Sequence, residues 1–494
     1  MTKIPFPLSS TPGERPQEGA GRILNGYVEP RGEGLGPIWR RSPGLRLFVE
    51  TGEETFRGAI VMPGVIYAAY DGMVMAVTFQ EAGASDSDSD SNSNSDSGGT
   101  GWVAEVHDAL AGADKVFLAR NNNSTPDIVG VADIGAFIIT DAGVDDYPDP
   151  DVGAPNAVAF LAGYFFFTYG DGKCRTSGIN TTDINLLDLA TAEQHPDGLV
   201  RPQPFRSQML LCGTRSIEVW TNTANPTAFP FSYSHTIPAG LLNAHAMAGG
   251  GDEFAEHLLW VADDNTVRRL DGYTPTKVSN PDLDRLIAAL ADKTELEACV
   301  YSSGGHKFWQ LSCAAWTWVF DINTEKWHER DSYLKTRSRI TQSFALADAG
   351  ECLHKWLCGD TETGDIMEIS RAVYSEMGNP FRWRMESGEV KDFPNRIQVA
   401  RADFDFVTGV GIATGADPIE VDPVVDVSWS NDGGVTWSRP LIRKLGRQQN
   451  ARTRVSVLNT GLSGPQGRRW RLDVPDRVHV GFMGGDQSAD VRAK

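Results

Sequence analysis

The sequence predicts an all-β fold: an irregular β-propeller with an additional C-terminal β-sandwich-like domain and an extended N-terminal arm. Three observations carry this expectation. Short apolar runs end repeatedly in Asp, Asn or Gly turns, as they do where strands are joined by tight hairpins. Glycine and tryptophan are abundant, 51 and 13 in 494 residues, which suits many turns and packed sheets. Helical spacing of apolar residues is clear at one place only.

Taken in order, residues 1–45 are rich in Pro, Gly and Arg with few periodic apolar positions, and read as an arm rather than a domain. The run Trp39-Arg-Arg-Ser-Pro-Gly-Leu45 reads as a turn feeding the first strand. Residues 46–380 read as the propeller. Gly64–Tyr70, then Asp71-Gly72, then Met73–Phe79 is a hairpin signature. Further strand and turn units start at Tyr164, Leu258, Trp316 and Cys358. Their spacing is irregular, roughly 40–60 residues per group, so no clean repeat of the WD40 or kelch kind is present. A radial array of small antiparallel sheets accounts for the pattern, although two β-sandwiches give the same local signals.

Two insertions interrupt it. Residues 83–101 are a Ser/Asp/Gly tract that cannot bury a core and reads as a disordered loop. Residues 280–292 read as a helix: Asn280 caps, Pro281 occupies N1, Asp282 and Asp284 fill the first turn, and Leu283, Leu286, Ile287 and Leu290 share a face. Beyond 381 the texture changes to alternating strands at Val424–Trp429, Arg454–Leu458 and Arg469–Leu472, hence the C-terminal β domain, 381–494.

Charge is plentiful and uneven. The net charge is −20, which does not suit a protein gripping duplex DNA from outside. Residues 81–154 carry 15 acids and two bases, whereas 439–477 carry ten bases and two acids. Such a split assigns different faces to different partners, or else to solvated loops and a solvated strand face. The longest apolar run, Ala157–Tyr169, is too short to span a bilayer. The N-terminus lacks the apolar stretch of a secretory signal, so synthesis in a reducing cytoplasm is expected.

No catalytic, cofactor or metal site is expected. Ser430-Asn-Asp-Gly-Gly-Val-Thr-Trp437 resembles the Asp box, a structural hairpin motif of sialidase-type propellers, present in one clean copy. It raises a glycan-binding or sialidase-like propeller as the alternative function. Asp86, Asp88 and Asp90 imitate the start of an EF-hand loop, but Ser91 and Ser97 stand where Gly and Glu are needed. Cys352, His354 and Cys358 lack a second ligand pair and read as strand residues. His195, His235, His245 and His257 show no ligand spacing, and Gly172-Lys173 lacks the rest of a phosphate-binding loop. Arg439, Arg443, Lys444 and Arg447 are the candidate partner-interface residues, facing an acidic protein rather than DNA.

Several stretches resemble the tail hub, or nozzle, proteins of short-tailed bacteriophages, the packaged-DNA stabilisation and tail accessory proteins. They are Asn25-Gly-Tyr-Val-Glu-Pro30 with Arg41-Ser-Pro-Gly-Leu45; Gln194-His-Pro-Asp-Gly-Leu199 with Phe205-Arg206, Met209–Gly213 and Ser216-Ile-Glu-Val-Trp220; and Val427–Trp429, Asp432-Gly433, Trp437-Ser-Arg439 and Arg469–Leu472. The resemblance implies a non-enzymatic virion component made in the host cytoplasm. Six copies would form a ring below the portal and its adaptor, beside a tail needle, tip, fibre or spike. The ring would retain packaged DNA and conduct it outward, without sequence-specific contact and without a membrane segment.

Overall fold

The computed structural model describes residues 1–80, 101–192, 197–225, 229–347 and 354–492. The Ser/Asp tract expected to be a loop lies, apart from Gly101, outside the described residues. The chain is all-β, and its larger part is a β-propeller.

Six blades are each built from four strands consecutive in the chain. The first comprises Phe56–Met62, Val65–Tyr70, Gly72–Gln80 and Gly101–Leu110. The expected hairpin is there: Tyr70 pairs with Met73, and Gly72 takes φ +82° at the turn. The inner strands of the next blades are Phe117–Arg120, Ala157–Leu161, Leu199–Phe205 and Met247–Gly249. The sixth blade comprises Glu297–Ser303, His306–Ser312, Thr317–Asp321 and Lys326–Glu329.

A seventh, composite blade closes the ring. Ile340–Ala347, His354–Asp360 and Ile366–Ser370 supply three strands, the fourth is Gly44–Val49 from the start of the propeller, and the short strands Ser375–Glu376 and Asn379–Pro380 lie beyond it. Apolar side chains fill every seam between blades. Phe205, Leu210 and Ile217 meet Met247 and Trp260 between the fourth and fifth, and Phe56, Ile66 and Val77 meet Leu357 and Ile366 where the seventh meets the first. The helix runs Pro281–Ala289, with Asn280 Oδ1 accepting from the Leu283 amide at 2.9 Å and Leu283 and Ile287 buried.

The remaining strands form a sandwich. One sheet runs Gly26–Glu29, Ile38–Arg41, Gly481–Gln487, Arg396–Phe406, Val455–Leu462. The other runs Arg22–Leu24, Trp383–Glu386, Arg469–Val474, Val424–Ser430, Leu441–Lys444. Their inner faces enclose Trp39, Trp383, Phe404, Trp470 and Phe482. The second sheet is continuous with the sixth blade, because Leu24 pairs in parallel with Glu329.

Residues 1–45 are therefore not a free arm. They supply strands to both sandwich sheets and the last strand of the propeller, and Ile23, Leu24, Tyr27, Ile38, Trp39 and Leu45 are all buried. Each strand is short, and apart from the pairing of Gly26–Glu29 with Ile38–Arg41 its partners lie hundreds of residues away, so no local periodicity announces it. Gly44 sits where a Cβ would come within 2.4 Å of the Val373 carbonyl and 2.5 Å of that of Ser375.

Leu45 is fully buried in the closing strand, whereas Leu47, two residues on, is exposed. Leu45→Ala should lower stability by about 2–5 kcal/mol. Leu47→Ala should stay within about 0.5 kcal/mol. Urea unfolding followed by tryptophan fluorescence measures both, and equal effects would contradict the closure.

Candidate functional site at the propeller axis and the domain junction

The inner strands converge on a central cavity of about 280 Å³. Side chains from six blades line it, and among the described residues Glu297, at the start of the sixth blade, is the one lining carboxylate. It accepts from Lys115, from Arg337 at 2.6 Å and from the Thr341 hydroxyl at 2.8 Å. Across the cavity, the Arg201 guanidinium lies 5.0 Å from the Phe117 ring centroid. His245 stacks on the same ring at 4.7 Å. Burial, then the charges of Lys115 and Arg201, push the imidazole down to about 3, so it is neutral at pH 7. Burial and the neighbouring Arg337 push the Lys115 ammonium down. Burial pushes the Cys299 thiol up to about 11, so this cavity-lining cysteine is protonated rather than a nucleophilic thiolate.

A second polar centre joins propeller to sandwich. Arg330 and Glu376 form a fully buried pair at 2.8 Å, and Arg330 also donates to the Pro43 carbonyl at 3.0 Å and lies over Phe381. Burial raises the Glu376 carboxyl despite this partner. Arg41 donates to the carbonyls of Val474 and Asp476, each at 2.7 Å, and burial pushes it down to about 9. Asn25, at φ +54°, donates to Asp331 at 2.6 Å and to the Arg382 carbonyl at 2.9 Å, and accepts from the Asp331 amide. The N-terminal motif residue Asn25 thus fastens the propeller to the sandwich, and Arg41 ties one sandwich sheet to the end of the other.

The other motifs are also structural. Asp197 accepts from the amides of Arg215 and Ser216 at 2.7 and 3.1 Å, and Glu218 accepts from the Trp220 indole at 3.0 Å. Gln194, His195 and Pro196 lie outside the described residues. The Asp box stands in the sandwich, between Val424–Ser430 and Leu441–Lys444, and not in a propeller blade. Asp432 accepts there from the Ser430 hydroxyl and from the amides of Val435 and Thr436. Its carboxyl is held down to about 2 by those hydrogen bonds, working against burial. With its acceptors committed to the turn, it has none aimed at a sugar. Cys358 is buried and His354 exposed, and no metal-ligand group of three occurs among the described residues. Cys352 and the Asp86, Asp88 and Asp90 run lie outside them.

The structure brings three of the four candidate interface residues to one sandwich edge. Lys444 pairs with Asp422 at 2.6 Å and Arg447 reaches the same carboxylate at 3.7 Å, with both basic side chains 67% exposed. Arg443 donates to the Ser456 carbonyl at 2.7 Å. Arg439 precedes the edge strand and is exposed. Sequence reasoning missed Lys115, Arg201 and Glu297. They stand on separate blades, and no spacing links them.

Comparison places this propeller and its attached sandwich among phage structural proteins. The chain belongs to the phage-stabilisation family described as Bacteriophage P22 Gp10, beta-propeller, whose model matches residues 95–374. It is therefore a phage structural protein of the class that stabilises packaged DNA. No curated protein matches the chain. Among solved structures it is similar to the computationally designed Ika8 protein, with 12% identity, 66% of this chain and 99% of that one covered, and a TM-score of 0.39. It is also similar to the WD40 β-propeller domain of Doa1, with 7% identity, 66% and 96% covered, and a TM-score of 0.39. PorZ of Porphyromonas gingivalis shows 10% identity, 72% and 44% covered, and a TM-score of 0.36.

His328, buried beside Arg330, yields a pH prediction. Burial pushes its folded pKa down to about 3, whereas the unfolded ring titrates near 6.5. A base with a lowered folded pKa keeps its full stability above pH 6.5 and loses it as pH falls from there toward 3. The loss at pH 5 should be on the order of 2 kcal/mol. Urea unfolding of wild type and His328→Gln at pH 7 and pH 5 checks it: the variant should lose correspondingly less on acidification, and an unchanged loss contradicts the assignment.

Proposed function

We propose that the protein is a ring-forming tail hub, or nozzle, that retains packaged DNA in the capsid and forms part of the conduit for its ejection. Membership of the phage-stabilisation family supports this reading. One structural observation supports the mechanism: side chains of six blades meet around a cavity of about 280 Å³ at the axis of a single propeller. Duplex DNA, whose major groove alone is about 12 Å wide, cannot pass it. A conduit must then be built between copies, and six copies around the tail axis would do so, below the portal and adaptor and above a needle, tip, fibre or spike.

Charge suits such a conduit. Every phosphate neutralised by Lys or Arg adds an attraction to be broken as the strand moves. A chain at −20 offers a lumen that does not hold its cargo. Copies so charged repel one another, so assembly needs local complementarity. The exposed basic edge at Arg439, Arg443, Lys444 and Arg447 supplies one side of it, against an acidic neighbour or adaptor.

Electron microscopy of the particle's tail tests the reading. Density for this chain in six copies on the axis is expected, and peripheral copies in another multiple would refute it. At the level of the interface, Arg443→Glu with Lys444→Glu and Arg447→Glu should weaken ring assembly in sedimentation velocity. Wild-type assembly should decline as salt screens the contact. Unchanged assembly across the salt series would remove this edge from the interface.

A further inference from the structure

Two surfaces of the molecule are opposite in sign, and both expose apolar side chains. The first is the outer rim of the second and third blades. Residues 117–191, which span those blades, hold ten acids and three bases. On the second blade Asp141, Asp145 and Asp146 are exposed, the last two on its outermost strand, Gly143–Asp146. Among the described residues no ion pair answers these three carboxylates. On the third blade Leu186 is 52% exposed on the outermost strand, Ile184–Thr191, and Ile179 is 64% exposed in the turn before it. The second surface is the basic sandwich edge. Residues 439–454 hold six bases and no acid, and counting back to Asp422 still leaves six bases against three acids. Ile442 and Lys444, two residues apart on the edge strand, share one face of it, and Ile442 is 62% exposed. Asp422 answers Lys444 and Arg447 together, which leaves one positive charge over.

Position in the ring keeps these surfaces apart within one chain. The sandwich is continuous with the sixth blade. In a ring of seven, the second and third blades both stand three places from the sixth, the greatest separation the ring allows. One chain therefore cannot bring its basic edge to its own acidic rim, but a second copy can. We propose that the sandwich edge of one copy docks on the rim of the second and third blades of the next, with Lys444 and Arg447 facing Asp145 and Asp146 and with Ile442 and Leu186 adding apolar area. The contact joins two different patches, so it is heterologous, and its repetition closes a ring when the rotation between copies allows. Opposite charges steer the approach and set the register, while like charges disfavour edge-to-edge and rim-to-rim pairing. The inference rests on the reading of the basic edge given above, and it commits that edge to the chain's own rim instead of an adaptor.

Sedimentation velocity of the full chain with paired charge reversals reads the contact. Wild type should self-associate at low salt and dissociate as salt screens the charges. A rim variant, Asp145→Lys with Asp146→Lys, and an edge variant, Lys444→Glu with Arg447→Glu, should each self-associate about tenfold more weakly or worse. An equimolar mixture of the two should assemble again. The basic edge of the rim variant meets the acidic rim of the edge variant, and the two reversed surfaces match each other. Misfolded variants would not rescue one another, so the mixture separates a lost contact from lost folding. A wild type that stays monomeric at low salt, a rim variant that associates as wild type does, or a mixture that stays dissociated overturns the proposal. Six copies on the tail axis without rescue in the mixture would refute this contact alone. Rescue in the mixture without axial copies would refute the hub and leave the contact standing.

Discussion

Closure of the seventh blade is the constraint on which the rest of the molecule depends. Its fourth strand is Gly44–Val49, paired antiparallel with Ile366–Ser370, so the ring shuts only when the beginning of the propeller sequence meets its end. Pairing so distant along the chain costs loop-closure entropy before any contact rewards it. The gain is cooperativity. Once Leu45 is buried against the last blade, the seam between the seventh blade and the first is packed as the other seams are. The run before this strand belongs to the sandwich, through Arg22–Leu24, Gly26–Glu29 and Ile38–Arg41. Propeller and sandwich therefore share one N-terminal segment, and neither is complete without it.

The buried charges make sense in that setting. A buried ion pair contributes little net stability, since desolvation offsets most of the attraction, but breaking it leaves a charge unanswered. Such groups therefore penalise wrong arrangements more than they reward the right one. Arg330 reads Glu376 and the Pro43 carbonyl together, and Arg41 reads two carbonyls of the C-terminal strand region. Both test whether the shared segment has been threaded correctly. Asp321 and Asp360 act locally in the same manner: each caps a turn at the end of a blade strand, accepting from Thr324 and Thr363, and each takes a basic partner, His306 or Arg339.

A component that retains packaged DNA works by holding its shape under load, and this fold carries its polar chemistry inside. The axis is lined by side chains around a cavity, the Asp box is a turn in the sandwich, and one sandwich edge is basic at the surface. In the proposed ring, that distribution assigns the interior groups to rigidity and the exposed groups to neighbours, while the overall acidity keeps a moving duplex from being held.

The sequence by itself determined what local interactions control. Asp71-Gly72 specifies a hairpin because Gly reaches a positive φ at no steric cost. Asn280-Pro281 followed by Leu283 and Ile287 specifies a capped helix, observed as Pro281–Ala289. The Ser430–Trp437 run specifies an Asp-capped turn, because donors and acceptor lie within six residues of one another. What only tertiary structure decided is everything whose partners are distant: that the segment 22–49 supplies strands rather than an arm, that Asn25 fastens two domains and Arg41 two sheets, and that Lys115, Arg201 and Glu297 line one cavity. A strand two to four residues long carries no period of its own, and a charge cluster drawn from separate blades has no spacing. Both exist only because the ring closes.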